Sequence, residues 1–379
     1  MDDKPRAYIA GTGTITALGG DTNTSYHAVR AGICQYKSVD YFTRQRERIS
    51  MALVPDGALP PLQGELDFRG KIPFRYRRIL RMCHVAATQA MATYTGKTPV
   101  PLFFSAPANN AGLNEPLPTR IIHYLHQQTG LLIDPTVSRL MGTGRSGVLN
   151  ALDLAFRYLY DTGAEFVLIG GSDSYQNSDL IAALNEEKRL LAPGIMNGFA
   201  PGEGAGFVLL TRNPAFALRS ATHLPSLLAP GVADEPGHLF SNEPYRGKGL
   251  DLAFKKALAA YSGHIKIKDI HSSMNGEHFW AKEYGVAMIR NADMFESETA
   301  IHHSADCHGD LGAATGGVLI NHVTQALLAG HSTNPSLIYC SSDHQYRAAV
   351  CFEPLPLTAF QASSPIPHAA PMQTGGLFS

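Results

Sequence analysis

The sequence lacks paired cysteines: its five, Cys34, Cys83, Cys307, Cys340 and Cys351, are scattered, odd in number and without a CxxC. Neither a disulfide framework nor a zinc ribbon is therefore expected, and the chain reads as a reduced, cytoplasmic protein. No stretch approaches the roughly 18 apolar residues of a membrane-crossing helix. The opening MDDKPRAYIAG holds no apolar core of signal-peptide length. Charge of one sign is never concentrated. Lys and Arg number 31 against 32 Asp and Glu, so the basic surface that binds phosphate backbones is missing and nucleic acid is not expected as a partner. The densest basic cluster, Arg75-Tyr76-Arg77-Arg78, opens an apolar-periodic segment and offers a local patch for an acidic protein. The 36 glycines and 24 prolines follow no period, which excludes a fibrous repeat.

What is present is length and an alternating pattern. The 379 residues suffice for two or three domains, or for two fused halves of one fold. Residues 7–18 mix β-formers with small residues and stop at Gly19-Gly20-Asp21, a buried strand and turn; Thr22 or Thr24 then caps a helix closed by Gly32. Helical spacing recurs over 78–95, 119–129 and 149–160, while 102–105, 165–169 and 207–210 read as short buried strands. Later segments repeat the plan, with helices over 249–261 and 316–329, an extended 270–274, and a final strand pair at 337–340 and 348–352. This predicts two similar α/β halves, 1–212 and 213–357, and a loose tail, 358–379, rich in Pro, Ser and Ala.

Four segments, in order over about 300 residues, carry a family resemblance. The first is Tyr8-Ile9-Ala10-Gly11-Thr12-Gly13 through Leu18-Gly19, followed by Val29-Arg30-Ala31-Gly32-Ile33. The second runs from Gly163-Ala164-Glu165 to Ile169-Gly170-Gly171-Ser172-Asp173. The third joins Asn197-Gly198-Phe199 to Gly202-Glu203-Gly204-Ala205-Gly206, and the fourth is Leu311-Gly312-Ala313-Ala314. Together they resemble the β-ketoacyl-(acyl carrier protein) synthases: their opening strand, turn and helix, their G-D-A-D…A-G-G-x-E stretch, their D-G-F…G-E-G-A-G signature and their late L-G-A-A. The resemblance implies a thiolase-like α/β fold, two similar halves in α-β-α-β-α layers, and an obligate dimer.

It also implies a dismantled active site. A condensing enzyme needs a cysteine thiolate to take the acyl chain and donors for the enolate formed from a malonyl thioester. The family's T-A-C-x-x-G-like turn corresponds here to Met141-Gly142-Thr143-Gly144-Arg145-Ser146-Gly147, and an ungapped count from Gly170-Gly171 puts Arg145 at the cysteine position. A guanidinium stays protonated and cannot attack a thioester. Ser146 lies next to it, with no base nearby in sequence. Asn275, in Ser273-Met274-Asn275-Gly276-Glu277, replaces the first family histidine; it can donate a hydrogen bond but cannot relay a proton. Gly309 replaces the second, with His308 one residue upstream, where a local insertion would restore it. The Gly-rich C-terminal loop has become Ser341-Ser342-Asp343-His344-Gln345-Tyr346-Arg347, whose β-carbons hinder close approach of backbone amides.

Other residues remain open to more than one reading. His302, His303, Cys307 and His308 invite a metal or a Cys–His nucleophile, or they fill space left by lost substrate contacts. Arg145 is either a plug that keeps acyl chains out or a buried salt-bridged residue; both require a carboxylate partner. Ile121, Ile122, Tyr124 and Leu125 match by position the family's interface helix near the acyl tunnel, and are either length-limiting groups or ordinary packing. The implied role is a chain-length-factor-like subunit without a cofactor or metal. It would pair with an active synthase across more than roughly 2,000 Å² and serve carrier-bound acyl chains of a polyketide or aryl polyene pathway. The alternatives are an acyltransferase or decarboxylase using Ser146 or Cys307, and a homodimeric acyl- or carrier-binding protein.

Overall fold

The computed structural model describes residues 4–43, 46–67, 72–108, 120–263 and 265–361. In chain order its strands are β1 (Arg6–Thr16), β2 (Lys37–Phe42), β3 (Arg48–Met51), β4 (Val100–Ser105), β5 (Ile133–Met141), β6 (Phe166–Ser174) and β7 (Glu203–Thr211), then β8 (His223–Leu228), β9 (Gly231–Asp234), β10 (Ile267–Ser272), β11 (Phe295–His302), β12 (Ser336–Ser341) and β13 (Tyr346–Pro356). The helices are α1 (Thr22–Arg30), α2 (Phe74–Met91), α3 (Ile121–Thr129), α4 (Gly147–Thr162), α5 (Ser178–Glu186), α6 (Lys248–Ala260), α7 (His278–Arg290), α8 (Ala305–His308) and α9 (Thr315–Leu328).

Strands β4, β6, β7 and β12 are buried along essentially their whole length, which requires cover on both faces. The pairing supplies it. One hydrogen-bonded path runs β11-β10-β12-β13-β8-β1-β7-β6-β4-β5, with β9 beside β13. This path is a single motif written twice. From β1 the chain pairs antiparallel to β7 and β6, then parallel to β4 and β5. From β8 it pairs antiparallel to β13 and β12, then parallel to β10 and β11. The motifs meet at their first strands through Arg6↔Leu228, Ala7↔Leu227 and Tyr8↔Ser226. Parallel neighbours need crossover helices, and these correspond too: α3 and α4 in the first motif, α7 and α9 in the second.

Three apolar clusters build the layers. Side chains of α4 and α9, including Leu149, Leu152, Leu159, Leu319 and Val323, lie between Ile9, Ile169 and Leu210 of one motif and Ile338, Val350 and Phe352 of the other. On the outer face of the first motif, α2 and α3 pack on Phe104, Phe207 and Leu209. On the outer face of the second, α6 packs Phe254 and Ala257 on Ile270, Tyr339 and Cys351. The order is helix, sheet, helix, sheet, helix. Close approach at the centre depends on Gly171, where a β-carbon would stand 2.1 Å from the Ala313 carbonyl oxygen.

Two expectations change. The basic cluster at 75–78 is largely internal: Arg75 pairs with Asp173 at 2.7 Å and Arg78 with Glu203 at 2.6 Å, both arginines nearly fully buried. Its outward patch is therefore reduced to Arg77. Part of 119–129 also differs, since Thr119 lies outside the described residues and the helix runs Ile121–Thr129. Of the proposed tail, 358–361 form a helical turn and 362–379 lie outside the described residues.

Candidate functional site

The chain leaves β5 at Met141, makes one tight helical turn over Gly144–Ser146 and enters α4. Gly144 sits at φ +69°, in the left-handed region that favours glycine. This turn carries Arg145 inward. Its counterpart in the second motif is the turn Gly312–Ala314, which precedes α9 in the same way, and Asp310 stands just before it.

Arg145 is 4% exposed. Its Nη1 donates to Asp310 Oδ2 at 2.7 Å, its Nη2 donates to Asp343, and its Nε donates to the Ser341 carbonyl at 2.9 Å. The guanidinium lies 4.6 Å from the centre of the Trp280 ring, a cation–π distance. Burial alone would push its pKa down, but Asp343 and Asp310 outweigh that and hold it above the ordinary arginine value. It is a fixed cation.

The network continues. Asn275 Nδ2 donates to Asp310 Oδ2 at 2.7 Å and to Glu277 Oε2 at 3.1 Å. Glu277 receives Arg189 Nε at 2.7 Å and Trp280 Nε1 at 3.0 Å. Arg189 Nη1 then returns to Asp343 Oδ2 at 2.9 Å, closing a ring through Arg145, Asp310, Asn275, Glu277, Arg189 and Asp343. Two guanidiniums face three carboxylates. For Asp343, burial raises the pKa, but Arg145 and Arg189 prevail and hold the carboxyl well below its usual range. Beside Arg145 remains a small cleft of about 40 Å³, touched by Gly144, Tyr175, Ser342 and Asp343.

The other sequence candidates fall in different places. Ser146 is buried; its backbone N–H donates to Ser342 Oγ at 3.0 Å and its hydroxyl is hydrogen-bonded to the same oxygen at 2.8 Å. Among the described residues neither imidazole nor carboxylate bonds to it, so none of its partners there would take its proton. Asn275 joins the ring. Gly309 adopts φ +70° and its neighbour Asp310, not a histidine, faces Arg145. His308 is buried outside the ring: Nδ1 donates to the Gly309 carbonyl at 2.9 Å, while Nε2 has no hydrogen-bond partner among the described residues. Burial pushes His308 down to about 4, so it is neutral near pH 7.

His303 bonds Ser272 at 2.9 Å and His302 bonds Asp269 at 2.8 Å. Burial pushes the Cys307 thiol up to about 11. No group of three His, Cys, Asp or Glu is arranged to hold a metal ion among the described residues. Ile121 and Leu125 are buried in the outer core, with Ile122 and Tyr124 half-buried against it. No described helix is long and apolar enough to cross a membrane.

Sequence reasoning missed Asp310 and Arg189. A signal existed for Asp310: an unexplained carboxylate directly before Leu311-Gly312-Ala313-Ala314, in a chain that already needed one for Arg145. Arg189 left none, because it sits after α5 and reaches the site only through the fold.

No protein-family model matches this chain, and no curated protein matches it by sequence. Solved structures do match. A chain from the complex of ketosynthase ApeO with its chain length factor ApeC, from Xenorhabdus doucetiae, has a TM-score of 0.67 at 15% identity, covering 92% of this chain and 97% of that one. The ishigamide ketosynthase/chain length factor gives 0.72 at 15%, covering 92% and 99%. The fold is that of the ketosynthases. A chain of AntDE:AntF, a type II polyketide synthase acyl-carrier protein in complex with its ketosynthase, gives 0.70 at 12% and covers 93% and 100%. The thiolase-like layering of these ketosynthases is the arrangement built above from α4, α9 and the duplicated sheet motif.

Proposed function

We propose that this chain is a non-condensing, chain-length-factor-like subunit that pairs with an active ketosynthase and helps shape its acyl tunnel. One observation carries this reading. At the turn where the resemblance puts the nucleophilic cysteine, Arg145 is buried and bonded to two carboxylates. A condensing site must offer a thiolate and leave room for an acyl chain; here the group is cationic and the space beside it is about 40 Å³. Asn275 and Gly309, the proposed replacements for the two family histidines, supply no group that titrates near neutrality. Ile122 and Tyr124, half-buried on α3, are the proposed side chains for contact with the partner's tunnel. Solved neighbours include ketosynthases paired with a chain length factor and one bound to an acyl-carrier protein. By analogy, carrier-bound acyl chains of a polyketide or aryl polyene pathway are the substrate class.

The test is co-expression with a synthase that retains its cysteine, followed by sizing and an extension assay with malonyl- and acyl-loaded carrier protein. A 1:1 heterodimer whose product length changes when Tyr124 is replaced by Ala supports the reading. Chain extension by this protein alone, or an acyl adduct on Ser146 or Cys307, would sink it in favour of an acyltransferase or decarboxylase. A homodimer that ignores every synthase points instead to an acyl- or carrier-binding protein.

A further inference from the structure

Outside the Arg145 ring, a cavity of about 740 Å³ lies between α1, α9 and the β10–β11 edge. Two cysteines open onto it, Cys34 from the segment after α1 and Cys307 from α8. Their backbones run side by side. Gln35 N donates to the Cys307 carbonyl at 3.2 Å, Cys34 Sγ reaches the Asp306 carbonyl at 3.3 Å, and Tyr36 Oη donates to the Ala305 carbonyl at 2.8 Å while accepting from Gly309 N at 3.1 Å. Disulfides require such adjacency of the two backbones, and the remaining cysteines, Cys83, Cys340 and Cys351, are fully buried elsewhere.

We propose that Cys34 and Cys307 are a modification site: a reversible disulfide formed on exposure to a peroxide. Cys34 is the exposed member and reacts first. Its thiolate attacks one peroxide oxygen; the O–O bond breaks, leaving a sulfenic acid and releasing hydroxide. Cys307 then attacks the Cys34 sulfur, the S–S bond forms as the S–O bond breaks, and the Cys307 proton leaves with the hydroxide as water. Two thiols and one hydrogen peroxide become one disulfide and two waters. Cys307 lies in the turn that leads into Gly309 and Asp310, so the crosslink would tether the segment that delivers Asp310 to Arg145. The site is independent of the proposed function.

The test treats the full chain with hydrogen peroxide, blocks remaining thiols by alkylation, digests it and maps the cysteines by mass spectrometry. The expected result is a Cys34 peptide joined to the Cys307 peptide at about 2 Da below their summed mass, released by a dithiol reductant. In Cys307→Ser the same treatment should carry Cys34 on to a sulfinic acid, about 32 Da heavier. In Cys34→Ser, an exposed substitution that leaves the core intact, Cys307 should stay free to be alkylated after unfolding. If wild-type Cys34 instead passes to the sulfinic acid while Cys307 remains a thiol, or if the crosslink involves another cysteine, the proposal is overturned.

Discussion

Replacing Arg145 by Ala removes the one cation among the described residues that pairs with both Asp310 and Asp343. Asp310 would keep the Asn275 amide and the Gly312 N–H, at 2.7 and 2.8 Å, but would lose its ion-pair partner among the described residues while its side chain stays about 1% exposed. Asp343 would still have Arg189. Stranding one carboxylate of a buried pair costs about 3–5 kcal/mol. Unfolding entropy is about 2.1 cal/mol/K per residue, roughly 0.8 kcal/mol/K over 379 residues, so Tm should fall by about 4–6 °C. Calorimetry at pH 7 measures this directly. The double variant Arg145→Ala/Asp310→Ala should be no less stable than Arg145→Ala, because it removes the stranded charge. The pH dependence has a definite sign. The folded Asp343 carboxyl is held low, so its contribution is present above the unfolded carboxylate pKa and is lost as pH falls through the depressed folded value. Losing one of its two guanidiniums raises that folded value, and acid unfolding of the variant should begin at higher pH than in the wild type. A Tm change under about 1 °C, or fully additive single and double effects, would refute the view that this ion pair ties the two turns together.

The other predictions follow from the same geometry. Arg145→Cys should not acquire condensing activity: the new thiol would be buried beside Asp310 and Asp343, which keep it protonated, and no imidazole bonds to the ring; acyl-adduct mass spectrometry with a malonyl extension assay checks this. Gly312→Ala should lose roughly 2–3 kcal/mol in a urea titration, since its β-carbon would lie 2.1 Å from Asp173 Oδ2 at a backbone φ of +51°. Glu203→Gln should cost about 3 kcal/mol, because Glu203 holds buried Arg78 at 2.6 and 2.7 Å as well as the Ser174 hydroxyl at 2.7 Å; Glu203→Gln/Arg78→Met should recover part of that loss.

Much of the architecture was readable from periodicity. Helices α2, α4, α6 and α9 and strands β1, β6, β7, β12 and β13 all stand within a few residues of where apolar spacing puts them. The misses have physical causes. On α7 the inward stripe is Trp280, Glu283 and Ala287, and the charged middle member, needed to hold fully buried Arg347 at 2.6 Å, hides the apolar period. Strands β5 and β11 are sheet edges with mostly half-buried or exposed residues, so neither shows the continuous apolar run of a central strand.

By itself the sequence determined that the chain is a layered α/β protein with a duplicated plan, and that the turn ahead of α4 carries an arginine, a side chain that cannot act as a nucleophile. Local spacing suffices for the first, since burial on one or both faces writes itself into the order of residues; side-chain chemistry suffices for the second. Only the tertiary structure decided which carboxylates neutralise that arginine, because Asp310 and Asp343 are 165 and 198 residues away. It likewise set Cys34 against the α8 turn, 272 residues from Asp306. Contacts of that separation arise where two motifs fold toward each other around α4 and α9, and no local pattern in the chain records them.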